Sequence, residues 1–100
     1  MMIWKISQDV NNGYDTYSDA VVVAADPEAA RRTHPDGLTR WDEEGKTWLY
    51  QYRSSGGTVE WEPGTTYEWT NDLSSVAVEL IGVATGDAKP GVVCASYHAG

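Results

Sequence analysis

Tyr17-Ser18-Asp19-Ala20-Val21-Val22-Val23-Ala24-Ala25-Asp26-Pro27-Glu28-Ala29-Ala30-Arg31-Arg32 is the stretch on which the fold turns. Its first nine residues are rich in valine, and β-branched side chains suit a pleated surface, so the spacing predicts a strand from Tyr17 to Ala25. Asp26-Pro27-Glu28 then changes the signal. Asp caps a helix, the fixed φ of Pro suits the first helical position, and Glu favours the positive end of the helix dipole. The helix must be short, because His34 precedes Pro35 and is biased away from the α region, while Asp36-Gly37 reads as a turn. A helix over about residues 26–34 is the limit.

Upstream, Met2, Trp4 and Ile6 alternate with Ile3, Lys5 and Ser7, the period of a strand. This strand and the valine run predict a hairpin across the polar loop Gln8–Thr16, in which Asn12-Gly13 is the dipeptide most able to supply φ > 0. Downstream, Thr47 to Arg53 alternates Trp48, Tyr50 and Tyr52 against Leu49, Gln51 and Arg53, and Thr58 to Glu62 is its expected hairpin partner. Pro63-Gly64 ends that partner, and Thr65 to Thr70 is a weaker extended piece. Val76, Val78 and Leu80 alternate, and after a loop comes Val92 to Tyr97; these two runs read as a terminal strand pair. The expectation is an α+β domain, residues 1–100, with one short helix on one face of a mainly antiparallel sheet.

Fifteen acidic and seven basic residues give a net charge of −8 over 100 residues, with a single cysteine. One cysteine makes neither an internal disulfide nor a multi-cysteine zinc site. The apolar run Ala20–Ala25 is far too short to span a bilayer, so a soluble, cytoplasmic protein with no membrane role is expected. From Thr58 to Ala88 there is no Lys or Arg, yet Glu60, Glu62, Glu68, Asp72, Glu79 and Asp87 lie there. Nucleic-acid binders neutralise phosphates with cations, so direct DNA or RNA binding is not expected. The same field steers the chain toward a basic partner, or serves solubility alone.

Gln8-Asp9-Val10-Asn11-Asn12-Gly13-Tyr14-Asp15-Thr16-Tyr17, with the valine strand, the Ala-Ala-Arg helix and His34-Pro35, resembles a family of small uncharacterised bacteriophage and prophage proteins. Gly91-Val92-Val93-Cys94-Ala95-Ser96-Tyr97-His98-Ala99-Gly100 resembles that family's closing segment. The resemblance spans roughly the first third and last quarter of the chain and implies a phage setting without an activity. By analogy, small acidic phage proteins suggest inhibition of a host defence system, in the manner of anti-CRISPR proteins.

Residues that could carry chemistry have plainer readings beside them. Asp9, Asn11, Gly13 and Asp15 resemble a calcium loop, but the glycine falls fifth rather than sixth and no Glu stands at the twelfth position. A self-satisfied hairpin loop, or a contact loop presenting Tyr14 and Asp15, accounts for them instead. Cys94 reads as a small buried hydrophobe, and His98 is about 13 Å along the strand, too far to activate a thiolate. Glu60 and Glu62, about 7 Å apart on one strand face, read as solvated carboxylates rather than a glycosidase pair. No enzyme activity, metal or cofactor is expected.

Trp41, Trp48, Tyr50, Tyr52, Trp61, Tyr67 and Trp69 crowd the middle, and the chain has no Phe. Every aromatic therefore carries a polar handle, which suits core positions with a partner, a protein interface, or a stacking pocket. The first functional expectation is a non-enzymatic inhibitor that binds a basic, nucleic-acid-handling host protein or ribonucleoprotein complex through an acidic, aromatic face. Its candidate contacts are Glu60, Glu62, Glu68, Asp72, Trp48, Trp61, Trp69, Tyr14 and Asp15. The second is a protein that sequesters a signalling nucleotide by stacking its base and pairing its phosphates with Arg31, Arg32, Arg40 or Arg53. Either admits a homo-oligomer.

Overall fold

A computed structural model describes residues 1–64 and 68–98. The first hairpin forms as expected: β1 (Met2–Ser7) pairs antiparallel with β2 (Thr16–Ala24). Alternation fixes which face is apolar, since Trp4 lies opposite Val22 and Ile6 opposite Ala20, and all four are buried. The loop between them is organised by Gln8, whose side chain accepts from the Val10 and Asn11 amides and donates to the Asn11 and Tyr17 carbonyls. Positive φ falls at Asp15 (59°) and not at Gly13. The turn geometry is set by these side-chain bonds, so the Asn12-Gly13 expectation is corrected.

Asp26 caps the helix α1 (Pro27–Arg31), its carboxylate accepting from the Ala29 amide at 2.8 Å. At five residues the helix is shorter than expected, because Thr33 leaves it to bridge Arg40. Ala30 is fully buried where α1 packs against β1, β2 and the later strand β6 (Ala77–Val83). A three-stranded antiparallel sheet follows, in the order β3 (Arg40–Asp42), β4 (Thr47–Arg53), β5 (Val59–Pro63). Pro63 closes β5 opposite Leu49 rather than breaking it early, as an edge strand allows. Of the weak extended piece, residues 65–67 lie outside the described residues, as does the Ala99-Gly100 tail, and residues 68–70 form no strand.

The expected terminal pair is not a pair. β6 and β7 (Gly91–His98) stand at opposite edges of a four-stranded sheet ordered β6-β1-β2-β7. Alternation identifies a strand but says nothing of its neighbour. The β1–β2 hairpin has an unpaired backbone edge on each side, and one strand of the last third satisfies each. Cys94, on the edge strand β7, is exposed and not buried. The architecture is α+β, mainly antiparallel, with the helix on one face.

The core joins the two sheets. Trp4, Ile6, Ala20, Val22 and Ala24 of the larger sheet meet Ala30, Trp48, Trp69 and Val76 in one cluster. Buried tryptophans need partners for their N–H groups: Trp4 Nε1 donates to the Ala24 carbonyl at 3.1 Å and Trp48 Nε1 to the Thr70 carbonyl at 2.9 Å. Trp48 and Trp69 are both fully buried, so neither ring is open to the surface of another protein, and their placement in the binding set is corrected. A strand alternation that continues past the edge of the core does not mark which of its aromatics is inside.

Candidate functional site

Beyond Trp48, the β4–β5 hairpin runs out of the core. Its turn is closed by the Ser54 amide donating to Thr58 at 2.9 Å, with Gly57 at φ 82°, a conformation that glycine adopts without steric cost. The register sets Tyr50 opposite Glu62 and Tyr52 opposite Glu60. Each phenol donates to the facing carboxylate: Tyr50 Oη to Glu62 Oε2 at 3.1 Å and Tyr52 Oη to Glu60 Oε2 at 2.8 Å. The hydrogen bonds and negative charge of these glutamates raise both phenol pKa values, so the tyrosines remain protonated donors. The result is a two-rung ladder of phenol and carboxylate pairs. Tyr50 is 40% exposed and Tyr52 38%, and both glutamates face solvent.

The other expected contacts are dispersed. Trp61 lies between Glu60 and Glu62 in sequence and so points to the opposite face of β5, where the Arg40 guanidinium stacks 3.6 Å above its ring. Its placement beside the glutamates is corrected. Asp15 and Glu68 belong to a second acidic patch, at the start of β2 and the end of β7. There the Tyr17 and Tyr97 rings are 4.8 Å apart and Tyr97 Oη donates to Asp15 Oδ1 at 3.4 Å. Desolvation first, then the charge of Glu68, raises the Tyr17 pKa; desolvation first, then the charges of Asp15 and Glu68, raises that of Tyr97. Tyr14, 81% exposed, lines a small hollow of about 230 Å³ beside this patch with Asn12, Gly13 and His98. Asp72 caps the 3-10 turn Leu73–Ser75, accepting from the Ser74 amide and hydroxyl. Tyr67 lies outside the described residues.

An open groove of about 740 Å³ lies between α1, the β3–β4 turn and the 3-10 turn, with Arg31, Arg32, Trp41, Glu43 and Lys46 among its lining. Its cations are engaged. Arg31 and Arg32 pair with Glu28, and Glu43 receives Arg32 at 3.0 Å, Lys46 at 2.5 Å and the Trp41 indole at 2.9 Å. These three hydrogen bonds, Arg32 first, hold the Glu43 pKa down to about 2. Arg53 donates to the Gly57 carbonyl. All four arginines named for nucleotide phosphates thus have protein partners already. Among the described residues no group of three or more His, Cys, Asp or Glu side chains is placed to hold a metal ion, and no helix is long and apolar enough to cross a membrane.

A further titratable pair, His34 and Asp36, lies in the segment between α1 and β3. His34 is fully buried, its Nδ1 3.1 Å from both the Asp36 amide and Asp36 Oδ1. Burial alone would raise the Asp36 pKa. The His34 contact, the Thr39 hydroxyl and the Leu38 amide outweigh it and hold this carboxyl well below the usual carboxylate range. A depressed native pKa means that the unfolded state binds the proton more readily. The stability Asp36 contributes is therefore present above its ordinary pKa of 3.8 and is lost as the pH falls below it. Urea titrations should show an acid-side loss of stability that Asp36→Asn flattens. An unchanged acid limb in that variant would contradict the assignment.

The ladder tyrosines were absent from the expected contacts, although the signal was present: pairing Thr47–Arg53 with Thr58–Glu62 in a short-turn hairpin sets tyrosines against glutamates. Compared with protein-family models, curated proteins and solved structures, the chain matches none.

Proposed function

We propose that this chain is a non-enzymatic binding protein that inhibits a host defence complex by covering a basic, nucleic-acid-handling protein surface with the Tyr50–Glu62 and Tyr52–Glu60 ladder, in keeping with the phage setting that its two ends suggest. The observation that carries the reading is the ladder itself. Carboxylates two residues apart on a strand stand about 7 Å apart, a spacing of the same order as successive phosphates along a nucleic-acid strand. Each is fixed by a phenol donor, so little side-chain freedom is lost on binding. Tyrosine and a charged acceptor together match what lysine- and arginine-lined grooves recognise. The overall charge of −8 adds long-range steering toward such a groove.

The nucleotide-sequestering alternative would draw on arginines that Glu28, Glu43, Trp61 and Gly57 already occupy, and no observation favours it. Affinity capture from a bacterial host lysate tests the main reading. A nucleic-acid-handling protein with a basic surface is expected among the retained proteins. Recovery of none would contradict it.

A further inference from the structure

β7 closes one edge of the four-stranded sheet and pairs with β2 alone among the described strands. From Val93 to His98 every residue is exposed. Its eight residues, Gly91-Val92-Val93-Cys94-Ala95-Ser96-Tyr97-His98, contain no Asp, Glu, Lys or Arg, in a chain of net charge −8. Open edges present unpaired N–H and C=O groups, and soluble proteins commonly guard them with charge or proline. The opposite edge is guarded: β6 carries Glu79 one residue from its midpoint, so pairing two β6 strands antiparallel about that midpoint would bring two carboxylates close together on one face. Pairing two β7 strands brings none.

The ends of β7 are also complementary in charge. Lys89, exposed and without an ion pair among the described residues, stands two positions before the strand. Asp15 and Glu68 gather about Tyr17 and Tyr97 at its other end. Antiparallel pairing about a twofold axis sets the start of one strand against the end of the other. Each Lys89 then approaches the other copy's acidic patch, and the contact is made twice.

We propose that β7 is the seam of a twofold homodimer, in which two copies pair antiparallel about Cys94, near the middle of the strand, so that the two Cys94 residues face each other across the axis and two four-stranded sheets join into one. Because the edge is used on itself, the assembly closes and cannot extend into a filament. The seam lies apart from the Tyr–Glu ladder and does not depend on its function.

Sedimentation of the intact chain across a range of concentrations is the test, read beside cross-linking through its single cysteine by a short bis-maleimide. A species of twice the 11.0 kDa chain mass, cross-linked through Cys94, is expected. Cys94→Asp places a carboxylate from each copy beside the axis and should raise the dimer dissociation constant about tenfold or more. Lys89→Glu should weaken the dimer as well, whereas Ile81→Glu on β6 should leave it intact, with folding of each variant checked by circular dichroism. A chain that is monomeric throughout overturns the proposal. So does a dimer that Cys94 does not cross-link, or one that Ile81→Glu dissociates and Cys94→Asp does not.

Discussion

Trp48→Ala is expected to remove about 3–5 kcal/mol of folding stability, a large share of the roughly 5–15 kcal/mol that holds a domain of this size together. Trp48 is fully buried in the cluster that docks the three-stranded sheet on the four-stranded one. Its ring meets His34 and Trp41 edge-on, each at 5.1 Å between centroids. Truncation leaves a cavity where these rings met and deprives the Thr70 carbonyl of its donor. The melting temperature should fall by roughly 15–30 °C. Trp48→Phe keeps an aromatic ring and loses the N–H, so about 1–3 kcal/mol is expected for it, mostly from the unsatisfied carbonyl. Urea unfolding measures both. A loss below about 1 kcal/mol for Trp48→Ala would mean that the sheets are held together some other way.

Glu60→Lys with Glu62→Lys should weaken binding to the basic partner by about 100-fold or more, or about 2.7 kcal/mol, through loss of two oriented charges and their replacement by repulsive ones. Both glutamates are exposed and their partners are phenols on the same hairpin, so stability should change by only about 0.5 kcal/mol. Steering by net charge predicts a second, weaker effect on the association rate. Glu44→Lys with Asp87→Lys separates the two effects. It makes the same change in net charge at exposed positions away from the ladder, and should slow association while leaving the dissociation rate near that of the parent chain. Equal losses from the two double variants would mean that only bulk charge matters.

Local signals were legible where each depends on a few neighbouring residues. The Asp26-Pro27 helix start, the alternation of Met2–Ser7 and the punctuation about Thr47–Glu62 all predicted elements that form. What was not legible depends on distant parts of the chain. Adjacency in sequence is the only guide to pairing when alternation is silent about neighbours, and it sets β6 beside β7, whereas the two stand at opposite edges of the sheet. Charge and aromatic density mark Trp48 and Trp69 as anchors but do not record depth, and both are fully buried. Trp48, Tyr50 and Tyr52 share one face of β4, yet the core ends after the first of them. Gln8 gave no signal in the sequence because its importance comes from where the loop closes around it. The acidic half is correspondingly sharper than its charge total. Glu60 and Glu62 form one oriented pair, Asp15 and Glu68 a second patch, and Asp72 is a cap.

The most direct measurement is displacement by nucleic acid. The partner recovered by affinity capture, bound to the immobilised chain, is challenged with increasing amounts of the DNA or RNA it handles. If the ladder occupies a nucleic-acid groove, the two ligands exclude each other. The partner should then be released in proportion to the nucleic acid added, and the Glu60→Lys, Glu62→Lys chain should give it up at far lower nucleic-acid concentrations. A ternary complex in which chain, partner and nucleic acid remain together at saturation would contradict the account.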